Sequence, residues 1–303
     1  MKIEVYCEIE SICLEQLKTW FSELTPLHCS TGQEYLAAIF IVSSQHVEET
    51  INTILGAGDD RRGRYKAGPY ISGAFAIPVK LEGNLACYVV LTRDKVEMFQ
   101  FQELQYDAVS TLLEELLHVE QYALTWQKFK RLIPEPAFLS QEQFLNLASF
   151  IIDEYWVARQ KAPIIAQNFS VVAPDGASTP LYLWYGGNLI ELLNEAQTRI
   201  HIFRASKSLK NSDLEEIGST IVRYIFETLA RDAAFRTANP KHTQPENLIL
   251  LENDSPFYNG HVAEYWKSIH KQMVDFYEDQ ITKESAVREI ASSLQNFVNY
   301  ILY

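Results

Sequence analysis

The sequence predicts an α+β protein, with a mixed α/β part over residues 1–200 followed by a mainly helical part over 201–303. Three observations carry this class. Short apolar runs alternate with helical patterns in the first hundred positions; the apolar period changes to 3.6 residues from Ala108 onward; and helical patterns return after Gly187 and persist to the last residues.

Taken in order, Ile3 to Ile9 reads as a strand, Leu14 to Leu24 as a helix, Tyr35 to Val42 as a strand and His46 to Leu55 as a helix. The glycine-rich stretch from Gly56 to Gly73 carries the basic cluster Arg61-Arg62-Gly63-Arg64-Tyr65-Lys66. No phosphate-cradling pattern accompanies it, so it reads as a solvated hairpin loop. Tyr70 to Val79 and Ala86 to Thr92 read as strands joined by the turn Leu81-Glu82-Gly83-Asn84, and Val96 to Phe101 as a further strand. A long helix is expected from Ala108 to Phe129. Pro134 and Pro136 break the pattern, and a second helix follows from Gln141 to Lys161, with Ser140 and Gln143 as a capping box. Beyond the turn at Pro174-Asp175-Gly176, helices are expected over Asn188 to Gln197, Ser212 to Thr237, Tyr258 to Tyr277 and Thr282 to Tyr303.

With 303 residues, 47% of them hydrophobic, the chain can bury one large core or two moderate ones. A net charge of −13 opposes binding to a phosphate backbone, so no nucleic-acid partner is expected. The longest apolar run, Leu36 to Val42, is too short to cross a bilayer, and Glu4, Glu8 and Glu10 interrupt the place of a signal peptide. No membrane association is expected. Cys7, Cys13, Cys29 and Cys87 form no C-x-x-C pair and suit a reduced compartment, which points to the cytoplasm.

The candidate chemistry begins on the long helix. Residues four apart share a bearing, so Glu114 and His118 project together, one turn apart, with Glu115 one step round. Asp107, Thr111, Gln121, Tyr122 and Thr125 extend this polar stripe, while Leu112, Leu116, Val119 and Ala123 face the other way. A polar stripe of this kind is also what a solvated helix face looks like. On the second helix, however, Glu154 shares its bearing with Leu147, Phe150, Ile151 and Ala158, which is the apolar face. A carboxylate buried without a partner costs several kcal/mol, so a metal or a cation such as Arg159 or Arg131 is expected opposite it.

The run Thr111-Leu112-Leu113-Glu114-Glu115-Leu116-Leu117-His118-Val119-Glu120 resembles the active-site helix of the zincin metallopeptidases, whose motif is H-E-x-x-H. Glu114 stands where the first histidine belongs. In the gluzincin branch a glutamate on a following helix completes the ligands, and Glu154 in Asp153-Glu154-Tyr155-Trp156-Val157-Ala158-Arg159 resembles that element. Cys87 to Leu91 likewise resembles the edge strand that holds substrate, and the resemblance covers about Tyr70 to Lys161.

The resemblance implies a zincin-like domain within residues 1–200. It also implies a divalent metal held by Glu114, His118 and Glu154, Glu115 as the general base toward a metal-bound water, and a peptide or protein as substrate. Zinc is the first expectation; the second carboxylate makes the site harder and admits iron or manganese. The alternative is a catalytically inactive zincin-like scaffold that binds a protein partner or regulates one. Glu120, on the opposite side of the helix from His118, is expected to support the site or pair within the core.

Other candidates are fewer. Glu115-Leu116-Leu117-His118 has the spacing of di-iron bundles, but the chain holds no second Glu-x-x-His. His261, Glu264 and His270 can decorate a helix or approach a site, and Tyr182, Trp184 and Tyr185 can line a pocket or a core. No G-x-S-x-G elbow, P-loop or dinucleotide fingerprint is present.

Overall fold

The computed structural model describes residues 2–59, 62, 73–129, 141–172, 178–180, 189–205, 222–238 and 255–302. The chain is α+β, and it divides into two compact units, Met1–Ile133 and Pro134–Tyr303.

The first unit is built on a four-stranded mixed sheet. Its elements are β1 (Lys2–Val5), α1 (Ser11–His28), β2 (Leu36–Val42), α2 (Val47–Leu55), β3 (Ala74–Leu81), β4 (Asn84–Thr92), α3 (Arg93–Glu97) and α4 (Gln105–Phe129). The strand order is β1-β2-β4-β3, with β1, β2 and β4 parallel and β3 antiparallel to β4. Glu82 and Gly83 turn the β3–β4 hairpin, both at positive φ (49° and 86°), as a tight two-residue turn requires. Val47, Ile51 and Leu55 of α2 pack on Val42, Ile77, Val79 and Val90. The alternate residues Cys87, Val89 and Leu91 point to the opposite face, and α4 packs against β3, β4 and α1.

Two expectations fail in this unit. Cys87 to Leu91 lies in β4, an interior strand bonded to β2 on one side and β3 on the other, so it is not a sheet edge. Its near-continuous apolar run, buried on both faces, is the pattern of a central strand. Val96 to Phe101 is not a strand either: α3 and a 3-10 turn at Met98–Gln100 cover most of it. The buried side chains there are Val96 and Phe99, three apart, and Arg93 Nε donates to Glu97 one turn on at 2.6 Å.

The second unit is mainly helical: α5 (Gln141–Asn168), a ribbon of β5 (Ser170–Val172) and β6 (Ser178–Pro180), α6 (Leu189–Ala205), α7 (Arg223–Ala238), a π-helical turn at Tyr258–Val262, α8 (Ala263–Tyr277) and α9 (Lys283–Leu302). One core joins Ile151, Ile152 and Tyr155 of α5 to Phe226 and Ala230 of α7, Ile269 of α8 and Leu294 and Phe297 of α9. α5 runs through Pro163, beyond the expected end at Lys161. Ala162 and Ile165 are buried on either side of the proline and hold the last turns in place. The sequence-based division at residue 200 separates α5 from α7 and α9, whereas the structure packs these helices together.

Among the described residues no helix is long and apolar enough to cross a membrane. The basic cluster from Arg61 lies almost wholly outside the described residues. The Ser140 cap, the turn at 174–176 and the start of the helix expected from Ser212 lie outside them too.

Candidate metal centre

In the first unit, α4 presents Glu114, Glu115 and His118 as their spacing requires. Leu112, Leu116, Val119 and Ala123 are all buried, which fixes the rotation of the helix on the sheet. Glu114 is half-buried and Glu115 is 6% exposed. The His118 ring stacks with Tyr122 one turn on, their centroids 6.2 Å apart, which restricts the imidazole. Asp107, at the start of the same stripe, is paired with Lys95.

Glu120 has a defined role on the far side of α4. Its Oε2 accepts hydrogen bonds from the backbone N–H of Thr31 at 2.9 Å and of Gly32 at 2.6 Å, so the carboxylate secures a 3-10 turn. A Cβ at Gly32 would stand 2.6 Å from Cys29 Sγ and 2.8 Å from the Glu120 backbone N, so only glycine permits this approach. Burial, together with the nearby Glu120 charge, pushes the Cys29 thiol up to about 12. Burial pushes the Cys87 thiol to about 12 as well, so both remain protonated and are poor metal ligands.

In the second unit, Glu154 is 5% exposed within the helical core, as its place on the apolar face of α5 predicts. Its counter-ion is Arg231 of α7, whose Nη2 lies 2.5 Å from Glu154 Oε2 and 3.3 Å from Glu227 Oε1.

No family model, curated protein or solved structure matches the chain.

Arg159, the expected partner of Glu154, instead lies over the Tyr277 ring, 4.3 Å from its centroid, and donates to Tyr155 Oη at 3.3 Å. Arg131 lies outside the described residues. Arg231 is 77 positions from Glu154, and its sequence signal was the pair Glu227 and Arg231, four apart beside the core residues Phe226 and Ala230. Similar pairs elsewhere on the chain are exposed, among them Arg288 with Glu284, so the spacing alone did not single it out.

His261 and His270 make their contacts within the second unit. His261 Nδ1 is 2.7 Å from Tyr300 Oη, Glu264 is exposed, and His270 stacks on Trp266 with centroids 5.3 Å apart. Burial, with Arg159 nearby, pushes the His270 imidazole below its ordinary range. Tyr182, Trp184 and Tyr185 lie outside the described residues.

Proposed function

We propose that this protein is a metal-dependent hydrolase acting on a peptide or protein, with a zincin-like arrangement of its first-unit sheet and α4. In this reading Glu114, His118 and Glu154 hold a divalent ion, and Glu115 is the general base. One observation carries it: α4, whose rotation is fixed by its buried apolar face, holds a carboxylate and an imidazole, Glu114 and His118, one turn apart on the same side. One imidazole with two carboxylates is a donor set that suits zinc and also admits manganese or iron. A bound ion would polarise the scissile carbonyl and acidify a coordinated water. Glu114 and His118, one turn apart on a packed helix, would take the ion together, and Glu115, one step round the helix, would accept the proton. The four cysteines are all free, which supports a reducing compartment such as the cytoplasm. A peptide cannot pair with Cys87 to Leu91, whose two edges are taken.

Activity tests the role of Glu115 directly. Protein loaded with zinc or manganese is expected to cleave peptides from a mixed library, and Glu115→Gln should lower the rate by about a hundredfold or more while the metal stays bound. An unchanged rate would remove Glu115 from the mechanism.

The Glu154–Arg231 ion pair favours a second reading, an inactive zincin-like scaffold that acts by binding a protein partner. In that reading Arg231 permanently supplies the charge that a metal would supply.

A further inference from the structure

We propose that Arg231 is a built-in competitor for the metal, a resident cation that must leave Glu154 before the carboxylate can bind an ion, and that Glu227 is the acceptor to which it moves. The inference rests on the metal-centre reading and concerns how that site is filled.

The geometry within the second unit sets up the exchange. Glu154 is buried, and a buried carboxylate must be matched by positive charge. Arg231 supplies it at 2.5 Å, from α7 onto α5. The same Nη2 is 3.3 Å from Glu227 Oε1, one turn back on α7, a longer contact that a small rotation would shorten. Glu227 is also 3.4 Å from Arg223 Nε through its other oxygen, so it already has its carboxylate turned toward cations on both sides. The row Arg223, Glu227, Arg231, Glu154 therefore alternates in sign. It offers Arg231 two acceptors, only one of which is a proposed ligand.

An incoming divalent ion replaces one positive charge at Glu154 with another, so the buried carboxylate is never left uncompensated. Arg231 keeps a partner throughout, because Glu227 moves with it on the same helix. The site is thereby stable when empty, and its affinity is set by the difference between two ion pairs rather than by the ligands alone. A divalent ion outcompetes a guanidinium at one carboxylate only if its other ligands are present, which makes occupancy depend on Glu114 and His118 as well.

The test is a titration of the full-length protein with zinc and with manganese against a chromophoric chelator, for the parent and for Arg231→Gln, Glu227→Gln and the double variant. Arg231→Gln should bind metal on the order of tenfold more tightly, because the competitor is gone. Its melting temperature should fall without metal and recover with it by more than the parent gains. Glu227→Gln should bind more weakly in the parent, because Arg231 has lost its alternative, and should matter little once Arg231 is absent. Should Arg231→Gln not fold, Arg231→Lys keeps the cation without the guanidinium fork and should shift affinity in the same direction by less. The inference is overturned if zinc binds, Glu154→Ala abolishes binding, and the Arg231 variants bind no more tightly than the parent. Absence of binding in the parent and in every variant would instead overturn the metal-centre reading and this inference with it.

Discussion

Glu120 and Gly32 show how closely single residues are specified. The Glu120 carboxylate holds two backbone N–H groups of the turn at Thr31 and Gly32, and charge-assisted bonds of this kind contribute about 1.5–3 kcal/mol. Glu120→Gln keeps the shape but loses the charge and should lower stability by about 1–2 kcal/mol in urea denaturation; a loss below about 0.3 kcal/mol would show that the turn is held by other contacts. His270 makes a pH-dependent contribution. Its folded-state value lies below the ordinary 6.5, so the folded protein binds fewer protons there than the unfolded chain. Its contribution is therefore intact above 6.5 and is lost as pH falls from there through the lower folded-state value. The melting temperature should drop between about pH 7 and pH 5, and His270→Phe should flatten that slope, leaving the part due to His28, which burial also pushes down. An equally steep slope in the variant would clear His270 of that role.

At the scale of elements, what the sequence made legible followed from periodicity and what it hid followed from packing partners. α1, β2, α2, β4, α4 and α9 fall close to their expected positions, because each carries an apolar pattern long enough to set its period. The β3–β4 turn was readable from Glu82 and Gly83, whose positive φ suits glycine and a tight hairpin. The segment after β4 was not, because Val96, Met98 and Gln100 fit a strand as well as Val96 and Phe99 fit a helical turn; burial of the second pair decides it. β4 was recognised as a strand but not as an interior one, since strand order depends on pairings far apart in sequence, here with β2 and β3. The candidate site divides the same way. Glu114 and His118 follow from one helix and Glu154 from the apolar face of another, whereas Arg231 required knowing that α7 packs on α5.

Over the whole molecule, the chain forms two compact units, and the second has a core of its own built from α5 to α9. Residues 134–303 expressed alone should therefore show helical circular dichroism and a cooperative thermal transition; a featureless melt would mean that this core needs the first 133 residues. The ligands of the proposed function lie on different elements, Glu114 and His118 on α4 and Glu154 on α5. Metal binding that needs all three side chains is what that function requires. It is tested most directly by metal content, measured by mass spectrometry on full-length protein purified without chelators or metal-affinity resin, beside His118→Ala and Glu154→Ala. Near-stoichiometric zinc, manganese or iron in the parent, abolished by either substitution, is the predicted result; a parent that holds no metal even after reconstitution would contradict it.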